Sequence, residues 1–380
     1  MKIVYIANSS IPSKSANSIH VMKMCEAFKE NGIDVELIVP NIGEYNLLTT
    51  NINEFDFYGI LSKFDINYEK SVSYEPVGFY QYLFSFLSVI KALFKKPDII
   101  MTRNPIIALI SIVFYQKVII EMHSNIEAVS NFTYKIYKKF NIFNHKRLIK
   151  LIVISDKLKD IYLNKYKIDY NKIQVLHDGV NLNNFVKYDK IPILEENFLN
   201  ICYVGSMNKG RGIDIIFNMA KKDKNNIYNI YGGEIEDIKY WNDLRNKEEI
   251  LNININGHIN NSEVPKILSQ HDVVLMPYQK EVFVRGSEDT SSWMSPMKMF
   301  EYMASGRVII SSNLSVIQEV LNDDNSYLVS PDNIDEWVNA INYIKDNKEK
   351  AILKTKKALE DVQSYTWQNR AKRIMEMINE

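Results

Sequence analysis

Cysteine is nearly absent from this chain, with two in 380 residues, Cys25 and Cys202. They lie far apart, each inside an apolar segment, so buried thiols in a reducing compartment are expected and neither a disulfide nor a thiolate metal site is. Net charge is also missing. Lys plus Arg and Asp plus Glu both count 46, which removes any global electrostatic case for a nucleic-acid partner. Long apolar runs are missing as well: "FYQYLFSFLSVIKALF" (79–94) and "PIIALISIVFY" (105–115) fall short of the roughly 20 residues that span a bilayer and read as core helices. The start, "MKIVYIANSS", lacks the apolar core and cleavage site of a signal peptide and reads as a first strand, so a cytoplasmic protein is expected. The six histidines show no ligand spacing, no Cys cluster supports zinc, and no Ser-His-Asp order emerges, so no metal is expected. There is neither a short repeat nor a low-complexity block.

What the chain does have is alternation. Short β-branched runs at 2–7, 34–40, 98–103, 117–123, 151–155 and 173–179 alternate with helical patterns. A second series follows at 201–206, 227–233, 253–258, 272–278, 307–312 and 326–330. This is the signature of parallel βα units, and the mostly unbroken apolar runs suit strands buried on both faces. The polar stretch 181–197 between the series reads as a linker. The length fits two domains of ordinary size, so the fold class expected is α/β with two doubly wound sheets facing across a cleft. Helices are expected at 18–32, 211–222, 264–270, 297–305 and 334–347.

Ligands of open α/β sheets bind beyond the carboxyl ends of strands, so the loops there matter most. After the first strand, "NSSIPSKSANS" (8–18) is small and polar, with Asn17 and Ser18 as expected helix caps. "EMHSN" (121–125) ends a buried strand with Glu121, His123 and Ser124. "VGSMNKGRGID" (204–214) combines three glycines, which allow close backbone approach, with Lys209 and Arg211 ahead of a helix, the makings of an anion site. It is neither GxGxxG nor GxxxxGKS, so neither a dinucleotide fold nor a P-loop is indicated. "SPMKMFEYMASG" (295–306) offers Ser295 as a cap, Pro296 at the first helical position and Glu301 one turn past Met297, where a carboxylate suits the diol of a ribose. The stretch "YKIYKKFNIFNHKR" (134–147) interleaves cations with aromatics, which suits either a solvated helix face or an anionic membrane surface.

Taken in order, these segments resemble the retaining nucleotide-sugar glycosyltransferases of the GT-B fold, family GT4. The resemblance rests on "SANSIHVMKMCEAFKENGIDVELIVP", "VIIEMHS", "LIVISDKLKD", "IQVLHDGVNLNNF", "YVGSMNKGRGIDIIFNMA", "IYGG", "INGHINNSEVPKILSQHDVVLMPY", "SPMKMFEYMASGRVIISS" and "EVLNDDNSYLVSP", and spans nearly the whole chain. It implies an acceptor-binding domain over 1–185, a nucleotide-sugar-binding domain over 198–363, and a last helix, 364–380, returning to the first domain. It further implies transfer of a sugar from a nucleoside diphosphate, UDP or GDP, to a hydroxyl of a glycan or lipid-linked acceptor. Cell-surface polysaccharide, capsule or lipopolysaccharide synthesis is the setting, at the inner face of the membrane, with neither a cofactor nor an obligatory metal.

Residue by residue, the resemblance assigns the donor to Gly205, Ser206, Lys209, Arg211, Gly257, His258, Ser295, Met297, Lys298 and Glu301. It assigns catalysis to His123 and Arg211, and the acceptor-side loop to Ser15, Ala16, Asn17 and Arg103. Two departures stand out. Ser206 replaces the family's arginine after the glycine, leaving Lys209 to substitute, and Trp293 replaces the first glutamate of the E-x7-E motif, of which Glu301 is the second. A nucleotide-sugar 2-epimerase of the same fold and a two-domain sugar-binding protein are the alternative readings.

Overall fold

The computed structural model describes residues 1–41, 53–69, 77–188, 191, 192, 194, 198–283 and 289–379. Part of the expected linker and residues 284–288 of the loop before Ser295 lie outside this set. Two compact units emerge, one from Met1–Asp178 with Trp367–Glu380, the other from Gly179–Thr366.

The first unit holds a seven-stranded parallel sheet in the order β3-β2-β1-β4-β5-β6-β7. Its strands are β1 (Lys2–Ile6), β2 (Asp34–Pro40), β3 (Asp65–Glu69), β4 (Ile99–Thr102), β5 (Val118–Met122), β6 (Leu148–Val153) and β7 (Ile173–Val175). The central β4 and β5 are buried at every position, as expected where helices cover both faces. β3, "DINYE", escapes the apolar signature because it is a half-buried edge strand whose alternation is polar. The helix after β1 runs Ala16–Glu30 and is capped by Ser15, whose Oγ accepts from the Ser18 backbone N–H at 3.2 Å. The expected caps Asn17 and Ser18 therefore lie within the first turn, since the Ser15 side chain satisfies an orphan N–H there first.

The second unit holds a six-stranded parallel sheet in the order β10-β9-β8-β11-β12-β13. Its strands are β8 (Asn200–Val204), β9 (Ile227–Tyr231), β10 (Ile253–Gly257), β11 (Val273–Met276), β12 (Val308–Ser312) and β13 (Tyr327–Val329). The two-residue period of a strand divides the core in two. Ile201, Tyr203, Val273 and Leu275 enter one apolar cluster, while Cys202, Val204, Val274 and Met276 enter the other. The expected domain edge at 185 moves back to Asp178 because Val180 and Phe185 are buried in the second of these clusters. Both thiols are free and buried, and burial raises both above the usual thiol range.

Each sheet reverses its strand order once, at β1/β4 and at β8/β11. At such a reversal the loops diverge and leave room for a ligand beyond the strand ends. The loops after β1 and β8, 8–18 and 204–214, emerge there.

Candidate functional site

In the second unit, β8 ends at Val204 and the chain turns through Gly205 at the reversal point. Three glycines close the strand edge. The Gly205 N–H donates to the Tyr231 carbonyl at 2.9 Å, and the Gly232 N–H donates to the Gly257 carbonyl at 2.6 Å. A Cβ on Gly232 would come within 2.0 Å of the Gly205 carbonyl oxygen, so no larger residue fits without moving backbone. The loop then reaches Gly212, at φ 81°, which caps the helix Ile213–Lys222 and lies so close to β11's exit that a Cβ would meet the Pro277 carbonyl oxygen at 1.7 Å.

Arg211 lies in this loop. Its Nη1 donates to the Tyr278 hydroxyl at 3.0 Å, its guanidinium stands 5.1 Å from the Tyr278 ring centroid, and its Nε is buried without a hydrogen-bond acceptor. Burial works against its charge, but Tyr278 and Tyr203 outweigh that and raise its pKa. Lys298 approaches from the helix Met297–Ala304, with Nζ 3.9 Å from the Tyr203 ring centroid and 5.5 Å from that of Tyr278. Lys209 does not join them; it is exposed and its ammonium stands 5.2 Å from the Phe283 ring centroid. Ser206 is exposed, and its carbonyl accepts from the Tyr203 hydroxyl at 2.6 Å.

The helix carrying Lys298 begins at Met297, where it was expected, but with Pro296 and not Ser295 as its cap. Pro296 is its N-cap with an extended ψ of 122°, no side chain caps it, and Ser295 is buried ahead of it. Glu301, one turn on, accepts from Asn261 Nδ2 at 3.4 Å, and His258 is exposed past the end of β10. Trp293 lies in the turn before the helix, where its backbone N–H donates to Thr290.

In the first unit, the reversal point joins Arg103, just past β4, to Asn17 in the helix Ala16–Glu30, Nη1 to Oδ1 at 2.6 Å. Ser15 and Ala16 are exposed beside it. Next to this pair lies a buried charge network. Glu121, fully buried at the end of β5, has Oε2 2.9 Å from Arg370 Nη1, while Oε1 is approached by His20 Nε2 at 2.8 Å and hydrogen-bonded to His123 Nε2. His20 Nδ1 stands 3.0 Å from Asp178 Oδ1. Arg370 also donates to the His177 and Leu176 carbonyls, at 3.0 and 3.2 Å. Burial alone would raise Glu121, but Arg370 and His20 hold its carboxyl well below the usual range. Burial, reinforced by the charge of Arg103, pushes His123 down to about 4. The neutral ring that results donates through Nε2 to Glu121, so its Nδ1 lone pair is the acceptor.

His20, His123 and Asp178 bring three possible ligand atoms within 4.8 Å of one another, which their sequence positions conceal. Here the hydrogen bonds and Arg370 already occupy the carboxylates. Sequence reasoning singled out His123 and Arg211 but missed His20, Asp178, Arg370, Tyr203 and Tyr278 as their supports. A charged residue inside the apolar run "VIIEMHS" was the available signal for the network.

The comparisons agree with this architecture. The description Glycosyltransferase Family 4 matches residues 18–184, and Glycosyl transferase-like matches residues 215–376. An uncharacterized 41.2 kDa protein in the cps region of Klebsiella pneumoniae is 28% identical over 163 residues, covering 41% of this chain and 40% of its own. The Escherichia coli UDP-Gal:alpha-D-GlcNAc-diphosphoundecaprenol alpha-1,3-galactosyltransferase is 27% identical over 233 residues, covering 56% of this chain and 55% of its own. The chain thus spans about half the length of the curated relatives it matches. Among solved structures, Anabaena HepE in complex with UDP superposes with a TM-score of 0.74 at 14% identity, covering 100% of both chains. The first half of the chain thus matches glycosyltransferase family 4, the second half matches a glycosyl transferase-like family, and the whole has the GT-B fold.

Proposed function

We propose that the protein transfers a sugar from a nucleoside-diphosphate sugar, UDP-linked in our reading, to a hydroxyl of a lipid-linked or growing cell-surface glycan, with retention at the anomeric carbon. The observation that carries this reading is the convergence of Arg211 and Lys298 on Tyr278, beside a loop in which glycine alone fits. Such a cradle suits a diphosphate: backbone N–H groups at two helix starts and two cations meet the charge that develops on the leaving group. The UDP in HepE and the UDP-galactose chemistry of the E. coli relative favour the uridine donor and a lipid-linked acceptor.

In this mechanism the bond from the anomeric carbon to the phosphate oxygen breaks and one to the acceptor oxygen forms on the same face. The acceptor proton passes to the departing phosphate. Arg211 and Lys298 stabilise the phosphates, Glu301 accepts from the ribose hydroxyls, and neutral His123 offers Nδ1 to a sugar hydroxyl. No step requires a metal, and turnover should survive EDTA.

Among the described residues no helix is long and apolar enough to cross a membrane. The first unit nevertheless exposes Phe86, Phe94, Tyr115, Phe132 and Phe140, with Lys139 near the Phe140 ring and Arg147 over that of Tyr115. Aromatic side chains interleaved with cations suit an anionic membrane surface, where a lipid-linked acceptor would be met. Sedimentation with phosphatidylglycerol vesicles, compared with phosphatidylcholine, tests this.

The decisive experiment incubates the protein with UDP- and GDP-sugars, with and without a lipid-linked glycan. Acceptor-dependent nucleotide release and a product retaining the donor's anomeric configuration by NMR are expected. Release of nucleotide with an altered free sugar and no acceptor would instead identify an epimerase, and binding without turnover a sugar-binding protein.

A further inference from the structure

A cavity of about 310 Å³ lies wholly within the second unit, beside the edge strand β13. Asn313, Gln318, Asn322 and Asp323 line it with polar groups, and Leu321 and Leu328 give it an apolar wall. The fold holds these polar residues largely by their backbones. The Asn313 N–H donates to the Val329 carbonyl at 2.8 Å, the Gln318 N–H donates to the Leu314 carbonyl at 3.0 Å, and the Asp323 carbonyl accepts from the Lys354 ammonium. Among the described residues, the side chains of Asn313, Gln318 and Asp323 take no hydrogen bond or ion pair. Asn322 Oδ1 accepts from the Asp324 N–H at 2.9 Å, which leaves its amide hydrogens unused. The turn itself is fixed, because buried Asn325 accepts from the Asn322 N–H at 2.8 Å and donates to Asp361 at 3.0 Å. A cavity with a fixed wall and unused donors and acceptors is organised in advance for a ligand.

The lining decides the class of ligand. Among the described residues no cation lines the cavity, and Lys354 beside it is directed to the Asp323 carbonyl and the Tyr327 ring. With the Asp323 carboxylate in the wall, phosphates, nucleotides and acidic sugars are repelled. An apolar ligand would leave four polar side chains without partners. A neutral pyranose meets both demands: its hydroxyls donate and accept, as amides and a carboxylate do together, and its C–H face suits the leucines. We propose that this cavity is a saccharide subsite, which holds a neutral sugar residue of the glycan outside the reaction centre. Its place supports that use. β11 pairs Val274 with both Cys202 of β8 and Ile309 of β12, so Gly205 and Ser312 stand level, two strand spacings or about 10 Å apart. Asn313 follows Ser312, and a short oligosaccharide spans that distance. The ligand class rests on the cavity alone, and its use by the acceptor glycan rests on the transfer reading above.

Saturation-transfer NMR of the full chain, with excess UDP present, tests the cavity with galactose, N-acetylglucosamine and glucuronate. Both neutral sugars should bind, and glucuronate should bind at least about threefold more weakly. Asn313→Ala combined with Gln318→Ala should weaken the neutral sugars at least about fivefold. Because both side chains are exposed and unbonded, the thermal midpoint of that variant should stay within about 2 °C of wild type. Asp323→Asn should bring glucuronate to parity with galactose, a gain that folding damage could not produce. Neutral sugars that fail to bind the wild-type protein at about 50 mM, or that bind the alanine pair as well as wild type, overturn the assignment. In the transfer assay the alanine pair should raise the KM of an acceptor extended beyond its reacting sugar at least about threefold, with kcat unchanged. An unchanged KM overturns the use of the cavity by the acceptor. Transfer by a protein that binds no sugar in the cavity overturns this inference alone, whereas sugar binding there without transfer overturns the reading above and leaves the subsite standing.

Discussion

Arg370 and Glu121 stand 249 positions apart in the chain, yet Nη1 of one lies 2.9 Å from Oε2 of the other in the core of the first unit. The last helix, Trp367–Asn379, thereby supplies the guanidinium that keeps a carboxylate charged at the end of β5. Because Glu121 also accepts from His123, a residue of the last helix helps to set the orientation of a candidate catalytic ring.

Removing that guanidinium should be severe. Arg370→Met leaves Glu121 charged and buried without its guanidinium partner, and about 3–5 kcal/mol of unfolding free energy should be lost. Urea denaturation measures it. The double variant Glu121→Gln with Arg370→Met should lose less than the single one, since it buries no unpaired carboxylate. An Arg370→Met protein as stable as wild type would mean that the pair contributes nothing.

Acid should destabilise the fold in a defined window. His123 titrates near 6.5 when unfolded and is held at about 4 when folded, so between these values the unfolded chain binds more protons. Stability is therefore complete above about pH 6.5 and declines as pH falls towards about 4, with depressed Glu121 extending the loss below its ordinary value of 4.5. The urea midpoint followed against pH should show this decline, and His123→Asn should flatten it. A midpoint constant from pH 6.5 to pH 4 contradicts the burial of a neutral ring.

At Arg211, replacement by alanine should cut turnover at least about tenfold, and up to the 10²- to 10³-fold typical of a lost transition-state donor, with the circular dichroism spectrum intact. An unchanged rate removes Arg211 from the mechanism.

Glu301 and the phosphates can be separated by choice of ligand. Glu301→Ala should weaken UDP while leaving pyrophosphate within about twofold, because the carboxylate is assigned to the ribose and not to phosphate. Equal losses for both ligands would place Glu301 elsewhere.

Space at Gly205 is a further test. Gly205→Ala puts a Cβ 2.3 Å from Lys298 Nζ and 2.9 Å from its Cε, so the flexible lysine must swing away. Weaker UDP binding by at least about tenfold is expected, with some loss of stability because Gly205 sits at φ 154°, where a residue with a Cβ is strained. Gly212→Ala meets the Pro277 backbone oxygen at 1.7 Å and should lower stability further.

Hydrophobic patterning carried most of the fold. The unbroken runs at β4, β5 and β11 announce strands buried on both faces, and burial is the property that a run of apolar residues encodes locally. The half-polar edge strand β3 was invisible for the same reason, since an exposed edge needs no such run. The helix starts at 264, 297 and 334 were legible, whereas those expected at 18 and 211 lie two residues off, because Ser15 and Ser18 are equally good caps until the backbone selects one. At the site, the glycines and Arg211 were legible because close approach and fixed charge are properties of residue type.

The sequence by itself determined two parallel α/β units, their likeness to glycosyltransferases, the glycine-rich loop at 204–214 and the oddly placed Glu301. Only the tertiary structure decided which charges meet. It brought Arg370 and His20 to Glu121, joined Arg103 to Asn17, turned Lys209 towards Phe283 and set Lys298 against Gly205. The physical reason is that the hydrophobic pattern is read over neighbouring residues. The cost of a buried charge is settled by whichever distant group the fold delivers to it.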